Sequence, residues 1–145
     1  MTLENWLKNG WVQAHETSSQ EIQDLLAVAD RDLVDCQVQG LGDDWRLNIA
    51  YNAALQLATV ALAAQGFRAS RDNHHYRVIQ SLAYTIHLDP ALIRQFDLFR
   101  KKRNQGGYER AGVASSQEAT EMLKLAQQLR RLVKDWLAAN HPELL

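Results

Sequence analysis

The stretch WRLNIAYNAALQLATVALAA, Trp45 to Ala64, decides the fold of this chain. It contains no proline or glycine, and its apolar residues surround a helix almost completely. Such a helix is covered either by other helices or by lipid. A membrane span needs an apolar run of about 18 residues, and the sequence contains no uninterrupted run of that length. We therefore expect a buried central helix from about Asp44 to Gln65 and no membrane span. Its least exposed residues should include Ile49, Ala53, Leu57 and Val60.

Apolar residues recur at helical spacing on both sides of this stretch, and no segment alternates as a β-strand does. A short helix is expected over about Leu3–Lys8. A second helix begins at Ser18, which forms a capping-box pattern with Glu21. Gly66 is well placed to end the central helix, because glycine readily adopts the left-handed conformation found after a C-cap.

Further helices follow in the second half of the chain. A fourth is expected over about Asp72–His87, and a fifth begins at Pro90, a residue suited to the first turn of a helix. A second capping-box pattern, Ser115 with Glu118, opens the last helix, and the tail NHPELL is expected to fray. The sequence thus predicts an all-α antiparallel bundle of four to five main helices plus a short N-terminal helix, as one domain over residues 1–145.

Composition narrows the class of protein. With 145 residues, 46% of them apolar, the chain can bury a core without disulfides. Its single cysteine, Cys36, excludes an internal disulfide and a multi-cysteine zinc site, which predicts a reducing compartment, the cytoplasm. His74 and His75 diverge on a helix without an acidic partner at ligand spacing, so no metal site is predicted. No glycine-rich phosphate loop follows a strand, so no cofactor is predicted.

The net charge of −1 hides an asymmetry along the chain. Residues 1–44 carry nine acidic and two basic side chains, whereas residues 45–145 carry fourteen basic and eight acidic ones. A basic surface can hold phosphate, but surfaces of opposite charge can also satisfy each other within a fold or across a dimer. Both interpretations stay open.

Basic residues are concentrated in FRKKRNQGGYER, Phe99–Arg110, where five cationic side chains fall within twelve residues. Lys101 and Lys102 are expected to face solvent. Arg103 instead lies in line with the apolar stripe of its helix, and a guanidinium there needs a carboxylate, a phosphate or carbonyl groups as its partner. The apolar residues that precede Arg103 by four, seven and eleven positions are Phe99, Phe96 and Leu92.

Two interpretations of this basic segment stay open. Cations in the last turn of a helix interact favourably with the helix dipole, and Gly106 or Gly107 can supply the C-cap, so the segment can be an ordinary helix end. Alternatively, Arg103, Asn104 and Tyr108 form a site. The polar residues of the central helix allow the same choice, between hydrogen bonding to neighbouring helices and the lining of a site. These residues are Asn48, Tyr51, Asn52 and Gln56.

The run FRKKRNQGGY, together with AYNAALQLATVALAAQG, resembles the HEPN superfamily of small helical-bundle proteins of prokaryotes. The motif of that superfamily is an arginine, a polar residue, and then a histidine four to six residues after the arginine, replaced by tyrosine in many branches. Arg103, Asn104 and Tyr108 fit these positions. The order WRLNIAYNAALQLATVALAAQGFR, HHYRVIQSLAYTI and then RN-x-x-x-Y is similar to the actinobacterial-type group of uncharacterised HEPN proteins, over roughly residues 18–137.

This resemblance implies a bundle that dimerises so that two copies of the motif face one cleft. Active members are metal-independent ribonucleases, in which the arginine steadies the phosphate and the histidine transfers a proton. Tyrosine, with an ordinary pKa of about 10, is a poor base near neutral pH, so Tyr108 puts catalysis in question rather than the fold. Arg68 with His74 or His75 also satisfies the histidine spacing, but those residues are expected on a different element from Arg103.

On the same resemblance, the ligand is RNA or a nucleotide, and Arg103, Asn104 and Tyr108 are the candidate catalytic residues. Candidate substrate-binding residues are Arg100, Lys102, Tyr51 and Asn48.

Three hypotheses for the function follow. The first is an HEPN-like protein that binds RNA or nucleotides, with weak or lost catalysis, in a toxin–antitoxin or defence pair whose other member is a small nucleotidyltransferase. The second is an active ribonuclease in which Tyr108 replaces the histidine. The third is a structural dimerisation module in which Arg103 pairs with a carboxylate across the interface.

Overall fold

A computed structural model gives the fold and describes residues 1–105 and 112–145. The helices are α1 (Leu3–Lys8), α2 (Ser19–Asp35), α3 (Asp43–Ala64), α4 (His74–Ser81), α5 (Pro90–Gln105) and α6 (Ser116–Asn140). The strands are β1 (Val12–Ala14) and β2 (Phe67–Ala69), and a 3-10 helix covers Pro142–Leu144. The predicted all-α class is confirmed, and the bounds of α1 and the start of α5 are those expected from the sequence.

The central position of α3 is confirmed. It packs most extensively against α6 and α2, and it also contacts α4, β2 and α5. Its buried residues include Ala53, Leu57 and Val60, as predicted. By length and hydropathy α3 resembles a membrane span, but 72% of that stretch is buried by the rest of the protein, as in the core helix of a soluble protein.

Ile49 is more exposed than predicted, because it is only partly covered by the core. Trp45 lies one turn earlier on the same side of α3 and is 57% exposed. This side of the helix is therefore open to solvent near its N-terminal end. An apolar pattern alone does not reveal this, since both residues belong to an almost wholly apolar helix.

The predicted helix starts are confirmed by their capping hydrogen bonds. Ser115 and Glu118 form the full capping box, in which each side chain accepts from the other residue's backbone N–H at 3.0 Å. At the start of α2, Ser18 accepts from the backbone N–H of Glu21 at 3.1 Å. The Glu21 carboxylate does not complete that box, because it accepts from the Thr17 hydroxyl at 2.7 Å instead.

The structure adds a small two-stranded sheet that the sequence pattern does not reveal. β1 and β2 pair in antiparallel fashion, with Val12 opposite Ala69 and Ala14 opposite Phe67. Three-residue strands are too short to show the alternation by which a strand is identified in a sequence. Gly66, at φ 93°, adopts the left-handed conformation expected after α3 and turns the chain directly into β2.

The fourth helix is shorter than predicted, since α4 covers His74–Ser81 and not Asp72–His87. At its end the Ser81 hydroxyl donates to the carbonyl oxygen of Val78 at 2.6 Å. The next backbone bonds tighten to a three-residue spacing, as in the bond from Tyr84 N–H to the Ser81 carbonyl at 2.9 Å. The α-helix therefore ends at Ser81 and turns follow it. The apolar residues keep a helical spacing beyond that point, which is why the sequence predicts a longer helix.

The C-terminal tail folds onto the bundle rather than fraying as predicted. The carbonyl oxygen of Leu144 accepts from the Ser19 hydroxyl at 3.2 Å, and the Leu144 side chain packs against the core. The His141 ring lies 5.1 Å from the Trp136 ring, measured between centroids. These contacts join the last residues of the sequence to the start of α2 and to α6.

A buried carboxylate links α2 to α3. Asp32 is 6% exposed, and its carboxylate accepts from the amide of Asn52 at 2.6 Å. The guanidinium of Arg31 also donates to it at 3.1 Å. For Asn52, ordinary hydrogen bonding to a neighbouring helix is therefore the correct interpretation.

Replacing Asn52 with Ala is expected to lower the free energy of unfolding by about 2 kcal/mol, because the Asp32 carboxylate stays buried and loses a hydrogen bond to a charged acceptor. Denaturant unfolding followed by circular dichroism measures the loss. Gln56→Ala is the control, since the Gln56 amide lies 3.5 Å from the Asn52 carbonyl oxygen and makes only a weak neutral contact. Equal losses in the two variants would contradict the role given to Asn52.

Candidate functional site

Tyr51 lies where α3, α4 and α5 meet, and its side chain is fully buried. Its ring and that of Phe96 on α5 pack edge to face at a centroid distance of 5.6 Å. The guanidinium carbon of Arg103 lies 5.2 Å from the ring centroid of Tyr51. The Tyr51 hydroxyl oxygen lies 3.1 Å from Nδ1 of His75 on α4. One buried phenol therefore contacts both a guanidinium and an imidazole.

The helical repeat explains why Arg103 reaches this ring. Phe96 and Arg103 are seven residues apart on α5, which places them two turns apart on one face of the helix. The Arg103 side chain is partly buried there. The contact with Tyr51 stabilises the cation through the ring quadrupole and does not require its N–H donors.

A second arginine, Arg100, lies one turn before Arg103. Its Nε donates to the Asp97 carboxylate at 2.7 Å, and its guanidinium carbon lies 5.5 Å from the ring centroid of Tyr76. Tyr76 is 36% exposed, so part of its ring is open at the surface. We call the following five residues the Tyr51 cluster: Tyr51, His75, Tyr76, Arg100 and Arg103.

Burial sets the protonation states in the cluster. It raises the pKa of Tyr51 to about 12 against the opposing effect of Arg103 and Arg100, so the phenol keeps its proton at neutral pH. Burial also lowers the pKa of His75 from its ordinary value of 6.5, and the charges of Arg103, His74 and Arg100 lower it further. At pH 7 the His75 ring is therefore neutral, with a proton on one nitrogen and a lone pair on the other.

Of the residues predicted for the site, the structure brings Tyr51, Arg100 and Arg103 together. Lys102 faces α6 instead, with its Nζ 3.3 Å from the Glu118 carboxylate. Asn48 is partly buried, and its side chain makes no hydrogen bond within the part of the chain that the structure describes.

Asn104 is exposed in the last turn of α5, and its side chain forms no hydrogen bond to residues 1–105 or 112–145. Tyr108 lies outside the described residues, as do Gly106 and Gly107, the two candidates for the C-cap.

No group of three or more ligating side chains that could hold a metal ion occurs among the residues with described positions. Cys36 is buried, and burial raises the pKa of its thiol, as suits a packing residue.

His75 and Tyr76 were not predicted as members of the site. Sequence analysis places His75 on a different element from Arg103, which is correct, but α4 and α5 pack against each other. The spacing of residues along one sequence does not show which helices are neighbours. The available signal was the run HHY, which places aromatic and titratable side chains together at the start of a helix.

Comparison with known proteins finds no matching family model, no matching curated protein and no matching solved structure. The likeness to the HEPN superfamily therefore rests on the motif and segment order described above.

Acidification from pH 7.5 to 5.5 is expected to destabilise the protein through His75. Because the pKa of His75 is lower in the folded chain than its ordinary 6.5, the unfolded chain takes up the proton first as the pH falls. The contribution of neutral His75 to stability is thus present above about pH 6.5 and is lost below it. The groups that face His75 are Tyr51 from α3, His74 on α4, and Arg100 and Arg103 from α5.

The melting temperature as a function of pH tests this expectation. His75→Asn should flatten the profile between pH 7.5 and 5.5, because an amide can replace Nδ1 as the partner of Tyr51 and does not titrate. His87→Asn is the matched control, since His87 is exposed and is not among the groups that lower the pKa of His75. A His75→Asn profile as steep as that of the wild type would show that His75 is not the group responsible.

Proposed function

We propose that this protein is an HEPN-like protein that binds RNA or a nucleotide at the Tyr51 cluster. The observation that carries the proposal is the position of the Arg103 guanidinium carbon, 5.2 Å from the ring centroid of Tyr51. A ring attracts the cation but accepts no strong hydrogen bond, and the Arg103 guanidinium forms no hydrogen bond to residues 1–105 or 112–145. Its five N–H donors suit a phosphate. Within residues 1–105 and 112–145, no carboxylate lies within 4.0 Å of this guanidinium.

Tyr76 supports the same ligand class, because it offers an aromatic surface near the cations. Tyr76 is 36% exposed, and its ring lies beside Arg100. Single-stranded RNA is bound by cations at its phosphates and by aromatic rings on which its bases stack. Since Arg100 already pairs with Asp97 at 2.7 Å, Arg103 is the stronger candidate for the phosphate contact.

The resemblance to the HEPN superfamily supplies the wider setting of the proposal. The protein would act in the cytoplasm as a homodimer, in a toxin–antitoxin or defence pair with a small nucleotidyltransferase. Support for this setting comes from the spacing of Arg103, Asn104 and Tyr108 in the sequence and from the order of the three matching segments.

Arg103→Ala is expected to weaken the binding of a short single-stranded RNA by about 1–3 kcal/mol, or roughly 5- to 150-fold, the scale of a hydrogen bond to a charged group. Fluorescence anisotropy with an end-labelled oligoribonucleotide measures the affinity. Arg94→Ala is the matched control, because it removes the same charge from an exposed position on α5. It should bind RNA almost as the wild type does.

Thermal melting of the same variants separates this proposal from the structural alternative. An arginine that faces a ligand makes few core contacts, so the melting temperature of Arg103→Ala should stay close to that of the wild type. An arginine paired with a carboxylate across a buried interface would cost about 3–5 kcal/mol of stability on removal. A large fall in melting temperature, with no wild-type affinity for RNA to lose, would contradict the proposal.

The wild-type protein is expected to sediment as a homodimer at micromolar concentrations, because the cleft of the superfamily needs two copies of the motif. Analytical ultracentrifugation over a range of concentrations measures the assembly state. A species that stays monomeric throughout that range would argue against the proposed assembly.

A further inference from the structure

We propose that His75 is the proton-transfer residue of an RNA cleavage reaction at the Tyr51 cluster, an inference that rests on the proposed function. The superfamily places a histidine four to six residues after the arginine, and this chain has Tyr108 at that position of its sequence. Here the structure instead brings a histidine from α4 to the arginine of α5.

The geometry that supports the inference is centred on Tyr51. Its hydroxyl oxygen lies 3.1 Å from Nδ1 of His75, while its ring lies under the guanidinium of Arg103. Because the side chain of Tyr51 is buried and packed on Phe96, it cannot move independently of the core. The imidazole and the guanidinium are therefore held in fixed positions relative to one rigid ring.

A tyrosine hydroxyl is suited to hold a histidine that both accepts and donates a proton. When Tyr51 donates to Nδ1, Nε2 of His75 carries the ring proton; when Nδ1 donates to Tyr51, Nε2 has a lone pair. The same hydrogen bond thus stabilises both neutral tautomers. Since Tyr51 occupies Nδ1, Nε2 is the nitrogen left for proton transfer, and the ring is only partly buried.

The charges around His75 also fit this role. Burial and the positive charges of Arg103 and Arg100 keep the imidazole neutral at pH 7, which is the state that accepts a proton. A phosphate bound to Arg103 would offset these positive charges. Proton uptake by His75 would then be easier in the complex than in the free protein.

The reaction balances without another reactant. Nε2 of His75 takes the proton of a ribose 2′-hydroxyl, O2′ forms a bond to the neighbouring phosphorus, and the bond from phosphorus to O5′ breaks. The leaving O5′ takes the proton from the imidazolium, which returns His75 to its neutral state. The products are a 2′,3′-cyclic phosphate and a 5′-hydroxyl end, and Arg103 holds the phosphate oxygens throughout.

The test uses a single-stranded oligoribonucleotide and its fully 2′-O-methylated form, in buffer with a metal chelator. The full-length wild type should cleave the first and bind both. His75→Asn should cleave about 10²- to 10⁴-fold more slowly, the usual contribution of an acid–base residue, with RNA affinity almost unchanged. His87→Asn, which alters an exposed histidine outside the Tyr51 cluster, should cleave at the wild-type rate.

Tyr51→Phe tests the positioning of His75, because it keeps the ring under Arg103 and removes the hydroxyl. It should lower kcat while leaving KM almost unchanged, since it disturbs the proton transfer and not the phosphate contact.

The wild-type pH profile gives a measurement that needs no variant. The cleavage rate should rise with pH through a single ionisation between pH 5 and 7.5.

The outcomes separate failure of this inference from failure of the proposed function. A wild type that binds both oligonucleotides but cleaves neither would overturn the role of His75 and leave the binding proposal standing. Cleavage by His75→Asn at the wild-type rate, or a rate independent of pH between 5 and 7.5, would overturn it as well. A wild type that binds neither oligonucleotide would overturn the proposed function and this inference with it.

Discussion

The arrangement of the candidate site depends on the burial of one polar side chain, that of Tyr51 in the central helix. A buried phenol needs a hydrogen-bond partner, and His75 is that partner at 3.1 Å. A partly buried guanidinium needs electrostatic compensation, and the Tyr51 ring lies 5.2 Å from Arg103. Both requirements are met at one position in the core. The site therefore owes its geometry to helix packing rather than to surface loops.

The elements that could be predicted from the sequence are those whose structural signal is local to one element. The start of α6 depends on the Ser115 hydroxyl and the Glu118 carboxylate, three residues apart, and the start of α5 on the fixed φ of Pro90. Elements whose formation depends on residues distant in the chain could not be predicted. The strand Val12–Ala14 exists because residues 67–69 lie beside it, and three residues carry too little pattern to reveal that partner.

The same distinction applies to the candidate site. The position of Arg103 could be predicted, because the spacing to Phe96 places both on one face of a single helix. The position of His75 could not, since it depends on how α4 packs against α5. Asp44 is a similar case: its place at the start of α3 was predicted, but its carboxylate also accepts from the backbone N–H groups of Gly112 and Ala114, at 2.7 and 2.9 Å. These two hydrogen bonds join residues that are 68 and 70 positions apart in the sequence, and no local pattern encodes such a contact.

The packing of α3 against α6 has a consequence for the synthesis of the protein on the ribosome. α3 is the most apolar segment of the chain and makes its largest contact with α6, which is translated after it. Its apolar surface thus leaves the ribosome before its main cover has been made. α2 is available from the start and can shield one side, with the Asp32–Asn52 bond fixing their alignment. Until α6 has been translated, the other side is a surface for chaperones, since exposed apolar segments of incomplete chains are prone to aggregate.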